Sequence, residues 1–207
     1  MPKVSPEHFK KRRADILDAA KRVFKTKGFE PTTMQDVVKE SGMSRGGVYQ
    51  YFSNTEEMFI AIREDTFEEF ETYLSQLIEE HPTVWDALMT YLDNYIAGTE
   101  TDDISFGMVS YEYSVLAWRK DTRREVIYNH AMKFTSIFVR FLEKGVATGE
   151  FSPNYPLEAV VLFIFNITDG LLLYFMIAKS NLKRVYLDEQ IAGLKNYLQY
   201  ALKNQTP

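Results

Sequence analysis

Cysteine is missing from the 207 residues, and with it go disulfide bonds, thiolate metal sites and thiol nucleophiles. That absence fits a reducing compartment. Histidine is scarce, and His8, His81 and His130 lie far apart with no metal-ligand spacing among them. Proline is confined to Pro2, Pro6, Pro31, Pro82, Pro153, Pro156 and Pro207, at the termini or at joints. The long stretches between them are rich in Leu, Ala, Glu, Lys and Met, which predicts an all-α chain. No phosphate-cradling glycine loop and no nucleophile-and-base set can be found, so neither an enzyme nor a bound cofactor is expected. The N-terminus reads Met1-Pro2-Lys3-Val4-Ser5 and then turns polar, without the apolar run of a secretory signal, so the expected location is cytoplasmic. Repeats of solenoid period and low-complexity tracts are also lacking.

What is present belongs to an ordinary soluble chain, with 45% hydrophobic and 26% charged residues, long enough for two unequal domains. The net charge of -5 is unevenly spread. Residues 1–52 carry 11 Lys and Arg against 6 Asp and Glu, and the remainder carries 13 against 23. A basic head on an acidic body suits a polyanionic partner touched at one end, although chance clustering of solvated lysines gives the same figures.

The helices are marked by their stops and caps. A first helix opens at Ser5 with Pro6 in its first turn and carries Ile16, Leu17, Ala20, Val23 and Phe24 until Gly28 ends it. Thr32 with Gln35 reads as a capping box for a short second helix holding Val37 and Val38, closed by Gly42. Ser44 caps a third helix ending near Phe52, and Ser53 with Glu56 reads as the box that opens a long fourth helix stopped by His81-Pro82. Further helices are expected at Thr83 to Ala97, Ile104 to Trp118, Thr122 to Ala147, Leu157 to Ala178 and Leu187 to Lys203, about nine in all.

Two short helices joined by Ser41-Gly42-Met43-Ser44 form a tight turn, and with the first helix they make the smallest unit that buries a core while presenting one helix outward. Helical rotation puts Val48 and Phe52 inward, with Gly46, Gly47 and Gln50 outward and Arg45 and Tyr49 on the flank. Two glycines break local helix propensity here, either because the backbone must approach base edges or because a first turn tolerates them.

The run Thr32-Thr33-Met34-Gln35-Asp36-Val37-Val38, the turn after it and the run Arg45-Gly46-Gly47-Val48-Tyr49-Gln50-Tyr51-Phe52 resemble the helix-turn-helix of the tetracycline-repressor (TetR) family of bacterial regulators. The upstream Ile16-Leu17-Asp18-Ala19-Ala20 with Phe24, Gly28 and Phe29 is similar to that family's first helix. The resemblance implies a DNA-binding domain over residues 1–53 and a ligand-binding and dimerisation domain over 54–207. It further implies that Thr33, Tyr49 and Tyr51 hold phosphates and that Ser44, Arg45, Gly46 and Gln50 lie near bases, with Thr32 and Gly47 completing the contact set. Hydroxyls and helix N-termini suit phosphates, and Gln or Arg suits base edges. Thr55 stands where the family commonly has a lysine, so a phosphate clamp is either absent or supplied by Lys10, Lys11, Arg12 and Arg13, a run that reads equally as a solvated helix face. The partners implied are a palindromic double-stranded operator, a second copy of the chain and a small-molecule effector, with repression the usual mode. A helical interaction protein that keeps the motif as scaffold is the alternative.

The segment Leu157 to Ala178 has only Glu158 and Asp169 charged, but Asn166, Thr168, Asp169 and Gly170 fall mid-segment, which argues against a membrane span. Leu187, Ile191, Leu194 and Leu198 repeat at the spacing of a helix-packing seam. The seam fits the subunit's own core or a two-fold interface, and the resemblance favours the interface. Tyr95, Phe106, Tyr111, Trp118 and Phe138, with the polar Glu112, Asn166 and Asp169, are the candidates for lining an effector pocket, each of them also explicable as ordinary core or interface.

Overall fold

The computed structural model describes residues 6–99, 104–178 and 185–203. Among them there are nine helices and no strand: α1 (Pro6–Lys27), α2 (Met34–Ser41), α3 (Arg45–Tyr49), α4 (Thr55–Glu80), α5 (Val84–Thr99), α6 (Ile104–Ala117), α7 (Asp121–Ala147), α8 (Leu157–Ala178) and α9 (Val185–Leu202). The chain divides into two compact units. One takes Met1–Glu68 with Ser105–Leu116, the other Glu69–Ile104 with Ala117–Pro207. The chain therefore leaves the first unit within α4 and re-enters it for α6.

In the first unit α1 packs on α2, and α2 on α3. Ile16, Ala19, Ala20 and Phe24 of α1 are fully buried, as are Val37 of α2, Val48 of α3 and Met58 and Phe59 of α4. Each large apolar side chain so buried contributes about 1.5–3 kcal/mol. Four rings hold α6 in this core: Phe29 lies 5.9 Å from Phe24, 5.1 Å from Phe59 and 4.8 Å from Tyr113, and Tyr113 lies 4.6 Å from Phe59. The fully buried Tyr113 donates its hydroxyl to Glu56 at 2.9 Å.

The end of α1 sets up the next connection. Gly28 adopts φ 87, a left-handed conformation that costs glycine little, and the chain turns away from the helix axis. The N–H groups of Phe29 and Glu30 then have no helical acceptor, and both donate to the Glu112 carboxylate of α6, at 2.7 and 3.0 Å. A Cβ on residue 28 would stand 2.8 Å from a Glu112 oxygen, so any other residue would push that carboxylate aside as well as strain the dihedral.

Both capping boxes sit one residue later than their sequence pattern indicates. Thr33, not Thr32, caps α2, accepting from the Asp36 N–H at 3.3 Å while the Asp36 carboxylate accepts from the Thr33 N–H at 3.0 Å. Asn54 caps α4, accepting from the Glu57 N–H at 2.8 Å, and Glu57 returns to the Ser53 N–H at 2.7 Å. Lys27 at 2.6 Å, together with the Thr33 hydroxyl and N–H, pulls the Asp36 pKa down to about 2. Its contribution is thus complete above the ordinary carboxylate value of 3.8 and is lost as pH falls through about 2.

In the second unit α7 packs on α5 and α8, and α8 on α9. A chain of rings fills the middle, with Phe138 lying 4.9 Å from Tyr91, 5.6 Å from Phe165 and 6.1 Å from Phe70. The N-terminus of α5 is capped from afar: Glu150 accepts from the N–H groups of Val84 and Trp85, both at 2.8 Å. Ser152 and Asn154 donate their N–H groups to the carbonyls of Leu202 and Ala201, closing the last turn of α9.

The leucine seam of α9 is reassigned by the structure. Leu187, Ile191, Leu194 and Leu198 are all buried inside the subunit, Leu198 completely, and Leu187 and Ile191 pack with Leu171 of α8. The spacing marked a packed helix face without specifying whose helix it meets. The apolar surface left over belongs instead to α8, the one helix among the described residues long and apolar enough to cross a membrane. Its inner face, with Val160, Val161 and Ile164 fully buried, belongs to the core of the second unit, yet only 28% of Leu157–Tyr174 is buried and Leu162, Phe163 and Tyr174 face outward.

Replacing Glu112 with Ala strands the two N–H groups after Gly28, and the expected loss is about 2 kcal/mol of stability in urea titrations. An unchanged midpoint would show that water replaces the carboxylate at no cost.

Candidate nucleic-acid interface

The helix-turn-helix is assembled from caps. Gly42, at φ 66, ends α2 in the left-handed region that lets the chain reverse within two residues. Ser44 then starts α3 with its hydroxyl oxygen accepting from the Gly47 N–H at 3.1 Å. A Cβ on residue 47 would lie 3.2 Å from that oxygen, so one of the two glycines serves the turn itself. The other, Gly46, has open space where its side chain would be, which leaves the backbone approachable from outside. Val48 is fully buried and Phe52 nearly so, fixing the rotation of α3.

That rotation exposes Gly46 and Gln50, as their spacing predicts, together with Ser44, Arg45 and Tyr49, while Gly47 is half-buried. The Arg45 guanidinium lies over the Tyr49 ring at 5.3 Å, a contact that holds both side chains on the outer face. Thr33 is also exposed, at the start of α2, but its hydroxyl already donates to Asp36 at 2.7 Å. Thr32 departs from the expected set. It is buried, and its hydroxyl donates to the Gly28 carbonyl at 2.6 Å, satisfying an acceptor that the end of α1 leaves open. Its side chain serves the turn that follows α1.

Alongside α3 runs a groove of about 370 Å³ in which Ser44, Gly47 and Gln50 face His8, Phe9 and Arg12 of α1. Tyr51 joins it, half-buried, with its ring 4.5 Å from the exposed Phe9. Phe9 carried no sequence signal, because an aromatic residue in an otherwise charged first turn has no helical periodicity to mark it. Thr55 is half-buried in the first turn of α4.

The candidates for an effector pocket separate into two groups. Tyr95 and Phe138 both neighbour Tyr91 in the second unit: Phe138 meets it edge to face, and the Tyr95 hydroxyl donates to the Thr168 carbonyl at 3.1 Å. Burial, and then the charge of Asp169, push the Tyr95 pKa up to about 12. Asn166 and Asp169 lie on the exposed face of α8. Phe106, Tyr111 and Glu112 belong with α6 to the first unit, where both Glu112 oxygens are taken by backbone N–H groups. Trp118, at the end of α6, is 64% exposed.

Comparison with known proteins adds relatives to this geometry. Residues 16–62 match the family model for bacterial regulatory proteins of the tetR family, and residues 87–186 match that for the tetracyclin repressor-like C-terminal domain. An uncharacterized HTH-type transcriptional regulator of Bacillus subtilis, YfiR, is 47% identical over 84% of this chain and 86% of its own. The HTH-type transcriptional repressor AcnR of Corynebacterium diphtheriae is 34% identical over 82% of this chain and 84% of its own. A TetR transcription regulator of Haloarcula marismortui superposes with a TM-score of 0.75 at 17% identity, covering 94% of this chain and all of that one.

Two substitutions separate the roles on α3. Tyr49→Phe keeps the ring beneath Arg45 and removes only the hydroxyl, so it should weaken binding to every duplex alike. Gln50→Ala should cost on the order of 1–3 kcal/mol and blur the preference at one base pair per half-site. Binding measured on a panel of single-base variants distinguishes them, and indifference to both would remove α3 from the interface.

Proposed function

The chain belongs to the TetR family of DNA-binding transcriptional regulators, and from that membership we propose that it is a repressor that binds a palindromic operator as a homodimer and is released by a small, largely apolar ligand. The observation that carries the DNA half of the reading is the outer face of α3, where Gly46 is open and Arg45, Tyr49 and Gln50 are exposed beside a buried Val48. Side chains of this kind on a short, rigidly seated helix suit the major groove, which is wide enough for a helix and presents a distinct donor and acceptor pattern for each base pair. A regulator of bacterial DNA acts in the cytoplasm.

Dimerisation is supported by α8. A helix this apolar with so little of it buried leaves Leu162, Phe163, Leu173 and Tyr174 on a face that a monomer in water would not retain for stability alone. The polar Asn166 and the small Gly170 lie on the same face, and Gly193 of α9 is exposed as well, so a second α8 and α9 can approach closely and still find a hydrogen-bonding partner. Two copies are also what a short recognition helix needs, since one alone reads too few base pairs for a useful specificity.

Release by a ligand is read from the family membership, and the aromatic cluster around Tyr91, packed as core in the second unit, is what points to an apolar ligand. α4 contributes residues to both units, and in this reading it is the element on which a bound ligand acts. The energy required is small. A ligand that favours a DNA-incompetent state by ~3 kcal/mol lowers operator affinity more than a hundredfold, and the operator weakens the ligand equally.

The dimer is tested with Leu162→Glu and Tyr174→Glu together, which place charges on the exposed face and leave the core untouched. Sedimentation should show a folded monomer, with operator affinity reduced on the order of a hundredfold through lost avidity. A dimer that survives both changes would move the interface elsewhere.

A further inference from the structure

The basic run Lys10, Lys11, Arg12 and Arg13 is four adjacent charges in the sequence but not four equivalent ones in the structure. Arg13 is half-buried with its guanidinium over the Phe52 ring at 5.4 Å, which ties it to the core side of the motif. Elsewhere in the first unit Arg22 is paired with Glu40, Lys27 with Asp36, and Arg45 lies over Tyr49. Arg12 is exposed, and among the described residues it has neither an acidic nor an aromatic partner. It is the member of the run that lines the groove beside α3, together with Ser44, Gly47 and Gln50.

We propose that Arg12 is a phosphate-binding residue of the interface, a clamp that grips the DNA backbone at the rim of the major groove that α3 enters. The inference rests on the DNA-binding reading of α3. Charge decides the occupant: no Asp or Glu lines the groove, so the guanidinium there is uncompensated and draws an anion. Geometry decides which anion, because Gln50 and Ser44 lie in the same groove and a duplex positioned for Gln50 to read a base edge carries its nearest phosphates along the rim. Arginine suits the task better than lysine, since its planar fork meets two phosphate oxygens at once. Phe9 is the second wall of the same feature. Its ring against Tyr51 holds that side chain toward the groove, so the first turns of α1 extend the reading surface beyond the helix-turn-helix proper.

The test uses the full-length protein and a duplex chosen by selection from genomic DNA, with affinity followed by fluorescence anisotropy over a series of salt concentrations. Arg12→Ala should weaken binding about thirtyfold per dimer, five- to sixfold for each of two contacts, to the selected duplex and to a scrambled one alike. The slope of log affinity against log salt should become shallower by about 1.8, one released counterion per phosphate and two phosphates per dimer. Arg12→Lys should restore the slope, and Lys11→Ala should change affinity less than threefold. Equal effects of Arg12→Ala and Lys11→Ala would overturn the proposal, as would a loss confined to the selected sequence, which would make Arg12 a base contact. Gln50→Ala separates the two levels: if it blurs specificity while Arg12→Ala changes nothing, the clamp is wrong and the DNA reading stands. If the unmodified protein binds no duplex, both fall.

Discussion

Two backbone N–H groups, those of Phe29 and Glu30, are the point on which the first unit turns. A helix that ends must dispose of its unpaired groups, and the N–H of Phe29, partly buried where that of Glu30 is exposed, would cost free energy comparable to a lost hydrogen bond if left without an acceptor. Here the solution comes from a residue 83 and 82 positions away, Glu112, whose carboxylate accepts both. Everything downstream follows in order. The turn at Gly28 aims Phe29 into the Phe24, Phe59 and Tyr113 cluster, and it leaves the Gly28 carbonyl to Thr32. Thr33 is then in place to cap α2, and α2 seats α3.

α3 itself has almost no intrinsic stability. Helices much shorter than about 12 residues do not hold alone in water, and this one adds two glycines to that handicap. Its position is imposed by Ser44 at one end and by Val48 and Phe52 beneath. Because the fold fixes α3 through those three residues, the outer positions are released from structural duty, and Arg45, Tyr49 and Gln50 can be whatever the nucleic acid requires. α8 shows the reverse economy. It carries more apolar surface than its own subunit covers, and the proposed dimer rests on that excess.

Much of this was legible beforehand, and the misses are of two kinds. Helix positions followed from where Pro, Gly and the cap residues fall, and the inward and outward faces of α3 followed from rotation alone. The caps of α2 and α4 were displaced by one residue because Thr32-Thr33 and Ser53-Asn54 each offer two adjacent cap residues, with Gln35-Asp36 and Glu56-Glu57 as two adjacent returns. Pattern cannot choose between registers that differ by one. The α9 seam and Glu112 failed differently. Leucine spacing reports that a helix is packed but not against what, and a carboxylate in an apolar helix reports that it has a partner but not which. Both answers lie in tertiary contacts, as does the capping of α5 by Glu150.

The central claim is that paired copies of α3 enter the major groove of a two-fold DNA site. Dimethyl sulfate methylates guanine N7, which lies in that groove, so protection on a duplex selected from genomic DNA reads the claim directly. The account predicts guanines protected in two inverted half-sites whose centres lie about one helical turn, roughly 34 Å, or a multiple of it apart. A single protected cluster without symmetry, or binding that leaves every guanine N7 reactive, would contradict it.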